Sequence, residues 1–167
     1  ARKDLTIEWN SRILMNQVAP FAAIVMVMFA FALDNDDVLT RVAGGLVWLA
    51  TLFSLIIIIQ RSFTVDTADG ALEAQRVAGL DPAGIFVGKA LAVMAQLVTL
   101  EIMLFVAAVV LYRVQLHADG VVLLVTCVVS ATAGLSFVGT LYGGLTAGSR
   151  GRETLLPLLM LPVVAPV

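Results

Sequence analysis

Residues that could do chemistry are few in this sequence, and they stand apart from one another. Cys127 is the single cysteine, so the chain cannot form an internal disulfide or a cysteine cluster. His117 is the single histidine, and an isolated loop histidine is more often solvated than a ligand of haem or metal. No Ser/His/Asp, Cys/His or paired-carboxylate constellation is visible. The sequence therefore predicts a chain that is not an enzyme by itself and that holds no metal.

Glu101 is the single residue that most strongly indicates a functional role, because it is the one charge in the apolar stretch between Lys89 and Arg113. A charge exposed to lipid at that depth is costly, so Glu101 should face protein or water, or be protonated. One interpretation gives it a transport role, as in a small secondary transporter or channel. The other is a neutral carboxyl hydrogen-bonded to a neighbouring span, with three candidate partners: Ser130, Thr132 and Ser136.

The segment from Gly84 to Ala90 is close to a phosphate-binding loop but fails its pattern. That motif needs four residues between its glycines and a Ser or Thr after the lysine. Here three residues separate Gly84 from Gly88, and Ala90 follows Lys89. The sequence predicts no nucleotide site in this chain, and it predicts Lys89 as an interfacial residue whose amine reaches the lipid head groups.

The composition is that of a membrane protein. Hydrophobic residues make up 60% of the 167-residue chain, charged residues 13%, and the mean hydropathy is +1.02. Soluble domains are close to half apolar and a quarter charged. The net charge of −2 argues against nucleic acid as a partner, since nucleic-acid binding requires a basic surface. The fold class predicted is an all-α integral membrane protein, a polytopic helical bundle.

Apolar runs set the predicted organisation of a single transmembrane domain over residues 1–167. Four runs are predicted to span the bilayer: residues 18–33, 42–60, 90–112 and 120–147. Residues 1–17 carry Leu5, Trp9 and Ile13 at helical spacing, which favours an amphipathic interfacial helix. Residues 154–167 form the start of a further span, broken by three prolines: Pro157, Pro162 and Pro166. The chain begins at Ala1 without methionine, and this last run is too short to cross a membrane, so we expect both ends of the chain to be incomplete.

The basic residues predict the orientation. With a cytoplasmic N-terminus, the segments 61–89 and 148–153 are also cytoplasmic, and those regions hold most of the Lys and Arg residues. Eight of the ten lie there: Arg2, Lys3, Arg12, Arg61, Arg76, Lys89, Arg150 and Arg152. The sequence predicts a multi-pass membrane protein with its N-terminus in the cytoplasm.

The segment 61–89 is the long polar segment between apolar runs, and it carries its own helix signals. Thr67 or Asp69 is predicted to cap a short helix through Ala78, which Gly79 would end. Asp81 and Pro82 are then predicted to start a second helix, with proline at its first position. A helical hairpin this well specified indicates that something outside the membrane docks on it.

Glycines recur at helical spacing near the end of the fourth run. Gly139, Gly143, Gly144 and Gly148 form two small-xxx-small patterns, which let helices approach closely in lipid. The patterns are compatible with a contact inside the chain or with the seam of a dimer, and the sequence does not separate the two.

Taken together, these motifs resemble those of the haem exporter protein B family. The hairpin reads Phe63-x-x-Asp66-x-x-Asp69-Gly70-x-Leu72-Glu73, between a span containing Trp48 and a span opening with Lys89. Gly139 to Gly144 follow, and then Leu161-Pro162-x-x-x-Pro166. The resemblance covers nearly the whole chain. It implies an ABC-exporter-type six-helix permease in the bacterial inner membrane, with its last span or spans missing from this chain.

The resemblance also implies partners and a division of labour. The permease subunit would serve cytochrome c maturation, as a homodimer with two copies of a cytoplasmic ABC ATPase, a haem-handling membrane subunit and a small single-span subunit. ATP and Mg²⁺ would bind the ATPase, haem would be a possible cargo, and this chain would bind no cofactor directly. ATP hydrolysis would drive haem export, or release of the haem-loaded periplasmic chaperone. The residues implied to couple to the ATPase are Phe63, Asp66, Asp69, Gly70, Leu72, Glu73 and Arg76.

Overall fold

The computed structural model describes residues 17–33, 35–68, 70, 74, 77–79, 81–114, 118–147 and 155–160. The interfacial helix predicted at residues 1–17 lies outside this part of the chain except for its last residue. In the described residues, all regular secondary structure is helical. Four long helices follow one another: α1 (Ala19–Ala32), α2 (Asp36–Ala68), α3 (Pro82–Tyr112) and α4 (Ala118–Thr146). A short helical segment covers residues 155–160.

Three of these helices are long and apolar enough to cross a membrane. The segments are Asp36–Asp66 of α2, Pro82–Tyr112 of α3 and Gly120–Thr146 of α4. Helix α1 has 14 residues, about 21 Å at 1.5 Å per residue, which is shorter than the ~30 Å hydrocarbon core. The predicted fold class, an all-α integral membrane bundle, is confirmed.

Local capping explains where α2 and α3 begin. The side-chain oxygen of Asn35 accepts hydrogen bonds from the backbone N–H groups of Asp37 (3.0 Å) and Val38 (3.2 Å). At α3, the Asp81 carboxylate accepts from Ala83 N (3.3 Å) and Gly84 N (3.1 Å), and Pro82 follows it. Both caps satisfy N–H groups that have no partner inside the helix. The prediction that Asp81 and Pro82 start a helix is confirmed.

The connection between α2 and α3 is shorter than the polar segment 61–89, because both helices extend into that segment. Residues 61–68 continue α2, and residues 82–89 form the first turns of α3. Thr67 therefore lies inside a helix, and its predicted role as the cap of a new helix is wrong. The connection, which we name the hairpin turn, covers residues 69–81. Gly79 has a φ of +67°, the left-handed conformation that suits a helix stop, as predicted.

Helix α3 contacts each of the other three long helices. At the end away from the hairpin turn, the Tyr112 hydroxyl donates to Met26 O of α1 (2.8 Å). At the same end, the Thr40 hydroxyl oxygen of α2 lies 3.2 Å from Tyr112 O and 2.9 Å from Asp36 O of its own helix, and its one hydrogen can be donated to either. Helix α4 packs on α2 and α3 and is the least buried of the three spans. Its first half carries exposed apolar side chains all around the helix: Val121, Val122, Leu123, Leu124, Val125 and Val129.

Candidate functional site

Lys89 lies where α3 leaves the hairpin turn, and it is buried, with 8% of its surface exposed. Its ammonium forms an ion pair with the Asp66 carboxylate of α2. The same Nζ donates to Ser62 O (3.3 Å) and lies 4.5 Å from the centroid of the Phe63 ring. The prediction that this amine reaches the lipid head groups is wrong. Lys89 projects from the face of α3 that packs on α2, and Asp66 supplies a nearer partner than the membrane surface.

Phe63 extends this contact to α4. A Cβ atom built at Gly143 would lie 2.6 Å from both Phe63 Cε2 and Ile59 Cγ2, so only glycine fits beside these α2 side chains as they stand. At Gly139 a Cβ would lie 2.3 Å from Ile59 Cδ1, whereas at Gly144 the nearest Phe63 atom would be an ordinary 3.8 Å away. Gly139 and Gly143 thus line a close contact of α4 with α2 inside one chain. Gly148 lies outside the described residues.

Three helices therefore meet at one place, which we name the hairpin base: Ser62, Phe63, Asp66, Lys89 and Gly143. Two of the residues implied to couple to an ATPase, Phe63 and Asp66, belong to it, and both contact other helices of this chain. The Asp66 side chain is 23% exposed and faces Lys89. The charged residues of the hairpin base are thus engaged within the membrane domain.

The hairpin turn carries the other implied coupling residues. Gly70 adopts a φ of +62°, and Ala74 N donates to Gly70 O (3.0 Å). Ala78 N in turn donates to Ala74 O (3.0 Å), so the described residues show two hydrogen bonds of helical spacing before the stop at Gly79. Four further implied residues lie outside the described residues: Asp69, Leu72, Glu73 and Arg76.

Glu101 lies near the middle of α3. It is 12 residues beyond Lys89 and 11 before Tyr112, about 18 Å and about 16 Å along the helix. Only 7% of its surface is exposed. Both carboxyl oxygens lie 2.8 Å from the Thr132 hydroxyl oxygen of α4. In the described part of the chain, no Lys or Arg pairs with this carboxyl.

Counting hydrogens shows which form of the carboxyl fits this contact. The Thr132 hydroxyl oxygen also lies 2.7 Å from Val128 O, yet a hydroxyl has one hydrogen to donate. A protonated Glu101 can donate to Thr132 through one carboxyl oxygen, and Thr132 then donates to Val128 O, so two of the three close contacts become hydrogen bonds, whereas an ionised Glu101 would leave only one. The arrangement therefore favours a neutral carboxyl, since an unpaired carboxylate at this depth is costly.

Of the three partners proposed for Glu101, Thr132 is the one in contact. Ser136 is buried, but its hydroxyl donates to Thr132 O (2.6 Å) on its own helix. Ser130 is exposed, and its hydroxyl donates to Thr126 O (2.8 Å). In the described residues, no group of three or more His, Cys, Asp or Glu side chains could hold a metal ion. His117 lies outside that part of the chain.

Comparison with known proteins places the sequence of this chain in a family. The family model described as CcmB protein matches residues 1–167. The chain belongs to the CcmB family. This membership confirms the resemblance seen in the hairpin and glycine motifs.

Curated relatives of this CcmB-family chain carry the name Heme exporter protein B. The protein from Rhodobacter capsulatus is 32% identical over 149 residues, 87% of this chain and 66% of its own length. That from Paracoccus denitrificans is 33% identical with the same coverage. That from Pseudomonas aeruginosa is 29% identical over 159 residues, 88% of this chain and 66% of its own. The chain thus spans 66% of the length of these relatives. No solved structure matches it.

Two features of the CcmB-family chain escaped the sequence analysis. The Lys89–Asp66 contact joins residues 23 positions apart on different helices. The opposite charges of the two residues are the only sequence signal for this contact. Gln96 of α3 is 8% exposed, and its Nε2 has no hydrogen-bond partner among the described residues. The sequence signal for Gln96 is an uncharged polar residue within an apolar span.

Proposed function

We propose that this chain is the permease subunit of an ABC transporter for cytochrome c maturation. It couples ATP hydrolysis by a separate ATPase subunit to haem export, or to release of a haem-loaded periplasmic chaperone. Family membership and relatives named Heme exporter protein B support this proposal. The chain supplies membrane helices and a docking segment, and it takes no catalytic step itself.

The continuity of α3 is the observation that carries the coupling role. The helix begins at the Asp81 cap beside the hairpin turn and ends at Tyr112 with no break between them. Its 31 residues correspond to about 46 Å, the full thickness of a bilayer with its head groups. A helix resists bending where no proline or inserted group interrupts its hydrogen bonds. A force applied at the hairpin turn therefore reaches the level of Glu101 without a flexible joint.

In this proposal the hairpin turn faces the cytoplasm and docks on the ATPase. The Lys and Arg distribution supports that orientation in a bacterial inner membrane, with a cytoplasmic N-terminus. The docking residues are Asp69, Gly70, Leu72, Glu73 and Arg76, of which the two acids would meet basic groups of the ATPase. Two ATPase copies, which bind ATP and Mg²⁺, would serve a dimer of permeases. The haem-handling subunit and the single-span subunit complete the assembly, and haem is its cargo.

Charge reversal in the hairpin turn tests the docking role. Asp69→Lys combined with Glu73→Lys should lower co-purification of the ATPase about tenfold or more, because like charges face each other across the interface. Asp37→Lys is the matched control, since Asp37 is an exposed acid at the other end of α2. That variant should bind the ATPase as the parent chain does. Undiminished binding by the Asp69/Glu73 variant would contradict the docking role.

A further inference from the structure

We propose that Lys89 is a positioning residue for coupling: through Asp66 and Phe63 it makes α2, α3 and α4 respond together when the hairpin turn moves. This inference rests on the proposed function and names the residue that transmits the movement. It also reassigns Asp66, from contact with the ATPase to a contact within the membrane domain. Nothing in the family resemblance gives Lys89 such a role.

The contacts of Lys89 all fall on one turn of α2. Its ammonium meets the Asp66 carboxylate, the Ser62 carbonyl and the face of the Phe63 ring. An ammonium favours an aromatic face within about 6 Å of the ring centroid, and the distance here is 4.5 Å. Three different groups converge on one charge, so the position of α3 along α2 is specified at this level. Sliding α3 by one residue would move Nζ by about 1.5 Å and weaken all three contacts.

Stability alone does not account for a charge at this position. A well-packed apolar pair holds two helices together at least as well as a buried ion pair, which must repay the loss of water. Charges in such positions are directional, and their best-attested use is to fix register. The hairpin base holds a charge pair about 12 Å along α3 from the Asp81 cap, close to where the ATPase would push. Register is what a transmitting joint has to preserve.

Phe63 carries the contact from α2 to α4. The ring that faces Lys89 on one side is buried against Gly143 and Gly144 of α4. Because the space beside Gly143 would not admit a Cβ atom, Phe63 cannot shift toward α4 without displacing that helix. Movement of the α3 end thus reaches α4 by way of α2, through Lys89 and Phe63, in addition to the direct packing of α3 on α4 at Phe86 and Phe137.

The experiment uses the complete complex, reconstituted with its ATPase, and measures haem delivered per ATP hydrolysed. Lys89→Met should lower this ratio about thirtyfold, which corresponds to about 2 kcal/mol, the lower limit for losing one partner of a buried charge pair. Asp66→Asn is a second variant, which removes the ion pair but preserves the shape of the side chain. It tests the inference even if Lys89→Met reduces the yield of folded complex. Both variants should still co-purify with the ATPase, because the hairpin turn is unchanged.

Two further variants separate positioning from a merely structural role. Lys89→Arg retains the cation and its contact with the ring, and the exchange of Lys89→Asp with Asp66→Lys retains the ion pair. Each should restore the ratio to within about threefold of the parent, an energy difference of about 0.7 kcal/mol. Arg61→Met is the matched control, since Arg61 is an exposed cation of α2 whose Nη1 donates to Gln17 (2.8 Å). It should leave the ratio unchanged.

Three outcomes would overturn the inference. The first is an unchanged ratio for Lys89→Met and Asp66→Asn. The second is an exchange variant as impaired as the single variants, and the third is loss of ATPase binding in Lys89→Met, which would make Lys89 a docking residue. Failure of the proposed function is seen separately, since the parent chain would then not co-purify with an ATPase at all.

Discussion

Two of the cross-helix contacts of α3 place a polar side chain inside the protein in different ways. At the hairpin base, Lys89 meets Asp66 of α2, and the pair consists of two opposite charges. About 18 Å further along, Glu101 meets Thr132 of α4, and no cation of the described residues takes part. The Asp66 side chain is 23% exposed, whereas the Lys89 side chain is 10% exposed and Glu101, as a residue, is 7% exposed. The ionic contact thus lies near the end of a span with its carboxylate partly exposed, and the other contact lies at mid-span with its carboxyl buried, so depth is the difference that the following predictions test.

The two contacts also suit different tasks. Near the end of a span, charges retain some access to water, so an ion pair costs less there than at the centre. Its directionality then fixes the register of α3 on α2, where a partner would apply force. At mid-span a hydrogen bond between neutral groups joins α3 to α4 without burying a charge. It constrains the register of the two helices less than an ion pair does. Substitutions in the hairpin base are therefore expected to affect coupling, whereas substitutions at Glu101 are expected to affect assembly of the helices.

The largest effect on this comparison is expected from Gly143→Ala at the hairpin base. The new methyl group would lie 2.6 Å from Phe63 and Ile59, so the ring or the helix must shift. Overpacking of this kind costs about 1–3 kcal/mol in free energy of unfolding. Gly134→Ala is the matched control on the same helix, since a Cβ there meets nothing within 4 Å. Unfolding in detergent micelles measures both, and equal effects would show that α4 does not fit closely on Phe63.

Changes at mid-span should have smaller effects and should separate a structural Glu101 from a transport residue. Thr132→Val removes the hydroxyl that contacts Glu101 and should cost about 0.6 kcal/mol in free energy of unfolding, the average for hydrogen bonds between membrane helices, and no more than about 1.7 kcal/mol. Thr126→Val is the control, because Thr126 is exposed and donates to Val122 O of its own helix. Its effect on the unfolding free energy should be close to zero.

Glu101→Gln refines this prediction, because its amide can donate to Thr132 as a protonated carboxyl does. The variant should match the parent in assembly and in haem delivered per ATP. Lost delivery with normal assembly would instead support the alternative in which Glu101 takes part in transport.

The sequence was informative where structure is local. Asp81 and Pro82 identify a helix start by their own chemistry, and Gly79 identifies a stop, so both could be predicted without knowledge of the fold. Three of the four hydrophobic runs likewise coincide with helices long enough to span, whereas the run 18–33 gives the 14-residue helix α1. What could not be predicted is which helix faces meet. No local rule predicts the burial of Lys89 or its ion pair, because its partner depends on how α3 lies along α2.

The partner of Glu101 illustrates the same limit more narrowly. Thr132 and Ser136 are four residues apart and share a helix face, whereas Ser130 lies about 200° around the helix from Thr132. Helix geometry alone could thus have separated Ser130 from the other two. Choosing between Thr132 and Ser136 required the level at which α4 packs against α3, which no pattern in the sequence encodes. The glycines posed the same question, since spacing predicted close packing but not its partner.

Salt should produce the smallest effect, and it tests the charge difference between the two contacts directly. Raising the salt from 0.1 M to 1 M shortens the Debye length from about 10 Å to about 3 Å. The stability difference between the parent and Asp66→Asn should then shrink by a few tenths of a kcal/mol, since Asp66 is partly exposed to the medium that screens it. The difference between the parent and Glu101→Gln should not change, because a protonated carboxyl carries no charge to screen. A salt dependence as large at Glu101 as at Asp66 would mean that the mid-span carboxyl is ionised, and depth would then not be what distinguishes the two contacts.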